Sequence, residues 1–286
     1  MTGGRALAEM IRLHSESPIF GMGGFQLLPF YDAARELGLR HYLINDERCG
    51  AFAADAYARL TGRPGICDGT LGPGATNLVT GLVESLNAGI PVIVLDRRAL
   101  GDQFTTFIGA SNLEIGKRAA EYLLERLPEG GKLVELQGIL GATATDERHR
   151  GFRELIASHP GFEVIYDQPG DYKRTPAKNI MDNALQAHPR IDAVYAHNDE
   201  MAIGAFLAAR AVGRHREIIF IGIDGQGEAV RMIRNGELDA TFVYPNGAQE
   251  AIEIALQILA GETPPKEIQL QTTRITKNER PDYAGF

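Results

Sequence analysis

The sequence has few cysteines and no excess of positive charge. Cys49 and Cys67 are the two cysteines among 286 residues; they lack metal-ligand spacing, and no secretory context supports a disulfide between them. We expect both thiols to be buried or half-buried. The formal net charge is -8 and no run rich in Lys and Arg occurs, which argues against nucleic acid as a partner.

Long hydrophobic runs are also absent. No apolar stretch approaches the roughly 18 residues that a transmembrane helix needs, which argues against membrane insertion. The first residues, from Met1 to Glu9, lack the charged and apolar regions of a signal peptide, so the sequence as written predicts a cytoplasmic chain. With 44% hydrophobic and 23% charged residues, the chain has enough apolar side chains for one large core or two modest ones.

Helical patterns and short β-branched runs alternate along the whole chain. This alternation is typical of a parallel α/β fold. The patterns predict helices at 5–14, 28–37, 51–60, 75–87, 113–127, 148–158, 176–187, 201–211, 227–235 and 248–259. They predict strands at 18–21, 41–44, 65–68, 90–95, 132–137, 162–168, 193–196, 218–223, 240–243 and about 268–272.

The strand predicted at 90–95 is followed at once by Asp96 and Arg97. In open α/β sheets, ligands bind beyond the carboxyl ends of the strands, so these two side chains are placed where a polar solute can meet a carboxylate and a guanidinium together. A solvated turn after a strand is the alternative interpretation.

The first third of the chain carries an ordered set of short motifs. They are Thr2-Gly-Gly-Arg-Ala-Leu, Phe20-Gly-Met-Gly-Gly, Leu28-Pro-Phe-Tyr-Asp32, Ala51-Phe-Ala-Ala-Asp-Ala-Tyr-Ala-Arg59 and Gly72-Pro-Gly-Ala-Thr-Asn77. This part resembles the pyrimidine-binding domain of thiamine diphosphate enzymes of the acetolactate synthase type. The resemblance implies that Glu47 protonates the aminopyrimidine ring of the cofactor. The alternative is an exposed Glu47 beside Asp46 and Arg48.

The resemblance to thiamine enzymes ends near residue 96. The sequence has no Gly-Asp-Gly with a downstream Asn, the motif that holds the metal and the diphosphate in that family. A bound diphosphate needs a cation and a positively arranged cradle. We therefore expect no cofactor and no metal site, with thiamine diphosphate plus Mg²⁺ in an incomplete site as the alternative.

The remaining two thirds carry a second set of motifs. They are Leu133-Val-Glu-Leu-Gln-Gly138, Glu147-Arg-His-Arg-Gly-Phe152, Gln168-Pro-Gly-Asp-Tyr172, Ala193-Val-Tyr-Ala-His-Asn-Asp-Glu-Met-Ala202 and Phe220-Ile-Gly-Ile-Asp-Gly225. This part is similar to ribose-type periplasmic sugar-binding proteins. The two resemblances meet in Ala88-Gly-Ile-Pro-Val-Ile-Val-Leu95, which suits both families. The chain therefore looks like a chimera, natural or engineered.

The resemblance to sugar-binding proteins implies two doubly wound, parallel-sheet lobes with a cleft between them. The first lobe is expected at 1–110, completed by about 245–272, and the second at 111–244, completed by about 273–286. Connections between the lobes are expected near 107–112, 244–247 and 271–275. A transcriptional effector domain has the same fold, but no helix-turn-helix precedes the first lobe.

The same resemblance implies a set of ligand-binding side chains: Asp96, Arg97, Arg148, Tyr172, Asn198 and Asp224, with Tyr244 where ribose binders carry Gln. Charged and amide groups of this kind make directional hydrogen bonds to vicinal hydroxyls, and an aromatic ring stacks on a sugar face. Plain alternatives exist: Arg148 on a helix surface, Asn198-Asp199 as a helix cap, and Asp224-Gly225 as a turn.

Phe30 and Tyr31 lie near the place where the sugar-binding family clamps the ring from the first lobe. They are either such a clamp or a pair that packs a helix onto the sheet. The leading hypothesis is reversible, non-catalytic binding of a small sugar or polyol, with a transporter permease as a possible partner. The alternative is a fragment or subunit of a thiamine diphosphate enzyme.

Overall fold

The computed structural model describes residues 3–15, 17–24, 27–70, 73–96, 101–279 and 283. The chain divides into two compact units. The first comprises residues 1–109 and 246–270, and the second comprises residues 110–245 and 271–286.

Ten helices and twelve strands occur in the described residues. The helices are α1 (Gly3–His14), α2 (Leu28–Glu36), α3 (Glu47–Thr61), α4 (Pro73–Asn87), α5 (Asn112–Arg126), α6 (Thr143–Ala157), α7 (Arg174–Ala187), α8 (Asp199–Ala211), α9 (Gly227–Asn235) and α10 (Ala248–Leu259). The strands are β1 (Ile19–Gly21), β2 (His41–Leu43), β3 (Ile66–Cys67), β4 (Ile93–Leu95), β5 (Thr106–Ala110), β6 (Gly131–Gln137), β7 (Phe162–Pro169), β8 (Ala193–Ala196), β9 (Ile219–Asp224), β10 (Ala240–Val243), β11 (Glu267–Leu270) and β12 (Arg274–Thr276).

The first unit contains two three-stranded sheets, with strand orders β2-β1-β3 and β11-β5-β4. β1 pairs in parallel with β2 and β3, and β4 pairs in parallel with β5. Its largest apolar cluster joins α1, α2 and β1, through Ala8, Ile11, Ile19, Phe30 and nearby alanines. A second cluster is formed by Ile108, Ile254 and Leu270, which ties α10 to the strands β5 and β11. Helix burial therefore holds these short strands together.

The second unit is built on one six-stranded sheet of order β12-β10-β9-β8-β6-β7. Neighbouring strands are parallel, except that β12 runs antiparallel to β10. Alternate residues of one strand bury opposite faces: Val194 joins a cluster with α7, α8 and α9, whereas Tyr195 joins one with α5 and α6. The sheet is thus covered by helices on both sides, as expected of a doubly wound fold.

The predicted α/β alternation is confirmed, and the differences have local causes. The run at 106–110 was expected only as part of a connection, but it forms the buried strand β5 because it pairs with β4. The residues 274–276 form β12 by pairing with β10. No helix in the described part of the chain is both long and apolar enough to cross a membrane.

The start of α3 corrects two expectations. Asp46 accepts a hydrogen bond from the Arg48 N–H at 2.9 Å and caps the helix, so α3 begins at Glu47 rather than near residue 51. Residues 47, 50, 51 and 54 then share one helix face and are buried. Cys49 lies on the other side and is exposed, contrary to the expectation of a buried thiol, whereas Cys67 is half-buried.

Candidate ligand-binding site

The carboxyl ends of four parallel strands in the second unit carry the polar residues that the sequence singled out. Strand β8 ends just before Asn198, β9 ends at Asp224, and β10 ends just before Tyr244. Tyr172 follows β7, where it adopts a positive φ of 60°. Since parallel strands end at the same edge of a sheet, these side chains are delivered to one region of the second unit.

Arg148 lies on α6 and is buried, with 3% of its surface exposed. Its Nε donates to Asn112 Oδ1 at 2.8 Å, and its Nη1 donates to the carbonyl oxygen of His197. Its guanidinium carbon lies 5.2 Å from the centre of the Tyr244 ring. Among the described residues Nη2 has no hydrogen-bond partner. The surface-helix interpretation of Arg148 is therefore wrong, because contacts with three other elements fix the guanidinium at the sheet edge.

Tyr172 and Asn198 are fixed against each other. Asn198 Oδ1 accepts from the Met201 N–H at 3.0 Å and caps α8, while its Nδ2 donates to the Tyr172 carbonyl oxygen at 3.2 Å. The Tyr172 hydroxyl lies 2.7 Å from Thr145 Oγ1. A side chain at Gly138 would overlap the Tyr172 ring, since a Cβ there would lie 2.0 Å from its Cζ. Asn198 therefore caps the helix, and the second N–H of its amide can donate to a ligand.

Asp224 is the last residue of β9 and has a φ of 122°, a region that side-chain-bearing residues rarely adopt. Its carbonyl oxygen accepts from the Tyr244 N–H at 3.1 Å, and its Oδ2 accepts from Gln226 Nε2 at 3.3 Å. Tyr244 in turn lies under the guanidinium of Arg148. Asp224, Tyr244 and Arg148 therefore form one linked set. Arg148 also bonds to the carbonyl oxygen of His197, the residue before Asn198, so Asn198 belongs to the same set.

Several residues that support this set were not singled out from the sequence. Asn112, Thr145 and His197 each bond directly to one of its members. Asp199 is fully buried and accepts hydrogen bonds from the residues that follow Asp224. Burial and the nearby Asp224 carboxylate raise the pKa of Asp199 well above its ordinary value. The available sequence signal was the polar triplet His197-Asn-Asp199 after a strand, of which only Asn198 was used.

A cluster of charged and polar side chains lies behind the set. Its centre is Glu135 of β6, which is fully buried. Its Oε1 lies 3.0 Å from both His149 Nδ1 and His197 Nε2. The Gly138 N–H donates to His197 Nδ1 at 3.3 Å, so Nε2 carries the proton that bonds to Glu135. Burial disfavours the Glu135 carboxylate, but the hydrogen bonds with His149 and His197 outweigh it and lower the pKa of Glu135 to about 2.

Glu135, His149 and Asp167 are close enough to be considered as metal ligands, since their ligand atoms lie within 4.8 Å of one another. Arg153 already occupies this position: its Nε donates to Glu135 Oε2 at 2.6 Å, and its Nη2 donates to Asp167. One guanidinium therefore bonds to both carboxylates at the place that a metal ion would take.

The candidate residues of the first unit are more scattered. Asp96 follows β4 with a φ of 73°, and its N–H donates to the Ile108 carbonyl oxygen at 2.9 Å. Arg97 lies outside the described residues. Phe30 is 6% exposed and belongs to the core of α1, α2 and β1, whereas the Tyr31 hydroxyl donates to Asp68 Oδ1 at 2.6 Å. The position of Phe30 favours packing over a clamp.

Glu47 is 2% exposed, so its interpretation as an exposed residue beside Asp46 and Arg48 is wrong. Its Oε2 accepts from Asn77 Nδ2 at 3.1 Å, and the absence of a side chain at Gly74 leaves room for its Oε1. A buried carboxylate at this place fits the pyrimidine of thiamine diphosphate. The described residues of the first unit contain no grouping of metal ligands for the cation of the diphosphate.

Comparisons with known proteins agree with both resemblances. Residues 73–263 match the model of the periplasmic binding protein domain, and residues 1–99 match the model of the N-terminal thiamine pyrophosphate binding domain of thiamine enzymes. The ribose import binding protein of Salmonella typhimurium is 39% identical over 196 residues, which cover 67% of this chain and 65% of that protein. The chain thus spans less than two thirds of the length of this relative.

Two solved structures extend the similarity to most of the chain. The fructose binding periplasmic domain of a hybrid two-component system has a TM-score of 0.73 at 31% identity, and the match covers 92% of this chain and 91% of that one. An ABC transporter solute binding protein from Bacillus halodurans with bound myo-inositol has a TM-score of 0.75 at 26% identity, with 95% and 98% covered. The chain belongs to the periplasmic binding protein domain family.

Proposed function

We propose that the chain binds a small sugar or polyol reversibly and performs no chemistry on it. The observation that carries this proposal is the linked set Arg148, Tyr172, Asn198, Asp224 and Tyr244 at the carboxyl edge of the second unit's sheet. The set combines a guanidinium, a carboxylate, an amide and two phenol rings, and it has no nucleophile paired with a base. Such groups suit a ligand that offers vicinal hydroxyls and an apolar ring face.

Three members of the set supply hydrogen bonds to the ligand in this proposal. The Asp224 carboxylate accepts hydrogen bonds from two hydroxyls, and Nη2 of Arg148 donates to a third, because its other nitrogens are engaged with Asn112 and His197. Asn198 contributes its remaining amide N–H.

The names of the relatives support a sugar as the ligand, but they name different sugars. Relatives are named for ribose, galactofuranose and D-allose. Tyr244 stands where ribose binders carry Gln, and its ring packs against Arg148 rather than offering an amide. We therefore propose a ligand of pentose or hexose size that makes one polar contact fewer at this position than ribose does in ribose binders.

A transporter permease is the proposed partner, because several similar structures are ABC transporter solute binding proteins. Two similar proteins are periplasmic by name, so the periplasm and the cytoplasm are the two locations to test. Fractionation of cells that express the chain distinguishes the two locations.

The thiamine alternative is carried by the buried Glu47, its bond to Asn77 and the match of residues 1–99 to the thiamine pyrophosphate binding domain. We propose that no cofactor is used. Thermal unfolding with ribose, allose, fructose, galactose and myo-inositol, and separately with thiamine diphosphate plus Mg²⁺, tests both statements. A ligand at about 100 times its Kd stabilises the folded state by about 2.7 kcal/mol. We expect at least one sugar to raise Tm and the cofactor to leave Tm unchanged. Stabilisation by the cofactor alone contradicts the proposal.

A further inference from the structure

Asp199 is a buried carboxylate that makes no contact suited to a ligand, yet it lies directly behind the candidate site. It is the first residue of α8 and is fully buried. Its Oδ2 accepts from the Gly225 N–H at 2.9 Å and from the Gln226 N–H at 2.8 Å. Its Oδ1 accepts from Thr241 Oγ1 at 2.7 Å. Three donors from two other segments therefore converge on one side chain.

These contacts hold the chain immediately after Asp224. Asp224 has a φ of 122° and Gly225 a φ of 82°, so the turn at the end of β9 runs through backbone conformations that are unfavourable for a residue with a side chain. Such a conformation persists only where the surroundings determine it. Thr241 Oγ1 also accepts from the Gly225 N–H, at 3.2 Å, so Thr241 and Asp199 secure the same turn.

The Asp199 carboxylate packs closely against β9. A Cβ at Gly222 would lie 2.2 Å from Asp199 Oδ1, so the carboxylate fills the space beside β9 where a side chain would otherwise stand. The glycine at position 222 thus leaves room for the Asp199 carboxylate, and three hydrogen bonds hold it beside the turn. A rigid acceptor of this kind sets the direction of the turn rather than following it.

We propose that Asp199 is a positioning residue, which holds the turn after β9 so that the Asp224 carboxylate faces the ligand. This inference rests on the proposed sugar-binding function. Asp199 acts through Asp224 and does not touch the ligand itself.

A double-mutant cycle tests this route of action. Asp199→Asn keeps the size of the side chain but removes its charge and puts a donor opposite the Thr241 hydroxyl, so it weakens the hold on the turn. With the sugar that stabilises the wild type most, calorimetry is expected to show an affinity loss of about tenfold for Asp199→Asn, and of less than about twofold when the same change is made in Asp224→Ala. Equal losses in both backgrounds overturn the proposal, because a general structural defect does not depend on Asp224.

Asp239→Asn is the matched control. Asp239 is also a carboxylate whose burial raises its pKa, and its Oδ2 accepts from the Phe220 N–H at 2.8 Å at the opposite end of β9. This change is expected to lower Tm while leaving sugar affinity within about twofold. If Asp199→Asn does not fold, Thr241→Val removes the hydroxyl that bonds to both Asp199 and Gly225, and the same cycle applies to it. An affinity loss for Asp239→Asn equal to that for Asp199→Asn contradicts a specific positioning role.

Amide hydrogen exchange separates this proposal from the proposed function. The N–H groups of Gly225 and Gln226 are expected to exchange at least about tenfold faster in Asp199→Asn than in the wild type, with or without a sugar. If no sugar binds the wild type but exchange rises, the proposed function fails and the hold of Asp199 on the turn stands. Unchanged exchange at both amides overturns the proposal, whatever the sugar measurements show.

Discussion

Replacing Phe30 with alanine distinguishes a core role from a ligand-clamp role for the aromatic residues of the first unit. Phe30 is 6% exposed and packs in a cluster with Ala8, Ile11, Ile19 and two further alanines. An aromatic side chain buries about 150–250 Å², and at about 25 cal/mol per Å² this burial contributes about 4–6 kcal/mol.

The cavity left by Phe30→Ala has little chance to collapse. Its neighbours include alanines on two helices, and the backbone of α1 already meets the start of α2, where a Cβ on Gly4 would lie 2.6 Å from the Phe30 nitrogen. We therefore expect a loss of about 3–5 kcal/mol in the free energy of unfolding. Sugar affinity, measured below the unfolding transition, is expected to stay within about twofold.

The assay is urea unfolding, followed by a probe of the first unit because two units need not unfold in one step. Phe52→Ala is the matched control, since Phe52 is 42% exposed on α3 and its loss is expected to cost less than about 1 kcal/mol. Unchanged stability together with lost sugar affinity refutes the core assignment and favours the clamp. A variant that keeps both its stability and its affinity refutes both.

Two further substitutions test buried carboxylates. Glu47→Gln is expected to leave sugar affinity in calorimetry within about twofold, because Glu47 bonds to Asn77 and is not among the residues that we assign to the sugar. A large loss shows that Glu47 belongs to the sugar site. Burial raises the pKa of Glu135, but its hydrogen bonds with His149 and His197 lower the folded-state pKa to about 2. The ionised Glu135 therefore stabilises the folded state fully above its unfolded pKa near 4.5, and this stabilisation is lost as the pH falls from there towards 2. The wild type is therefore expected to lose about 3 kcal/mol over this range, which Glu135→Gln does not lose, and parallel pH profiles of urea unfolding contradict this assignment.

The alternation of helices and strands could be predicted because each element of the second unit buries a regular apolar pattern. Strand β8 at 193–196 and helix α9 at 227–235 lie at the predicted bounds. The strands β5 and β12 were missed for different reasons. Strand β12 spans only Arg274–Thr276, too short for an alternating pattern, and β5 lies where the resemblance implied a connection.

The polar residues of the site could be predicted by kind and by strand end, but their contacts could not. Arg148 was weighed as a surface residue because helix periodicity says nothing about the Asn112 side chain and His197 carbonyl that bind it. Asp199 was passed over because its three donors come from segments that only the sheet brings together. Glu47 was misjudged because its exposure depends on whether α3 begins at residue 47 or 51, and one residue of helix rotates a side chain by about 100°.

Isothermal calorimetry of wild type and Asp224→Ala tests the central claim most directly. Asp224 ends β9 in the middle of the linked set, and its carboxylate is the principal acceptor that we assign to the ligand. Asp182→Ala serves as the control, because Asp182 is half-buried on α7 and pairs with Lys178. We predict that the wild type binds a pentose, hexose or polyol, that Asp224→Ala weakens binding by about 2 kcal/mol or more, and that Asp182→Ala leaves it unchanged. A sugar affinity that is the same in Asp224→Ala as in the wild type contradicts the account.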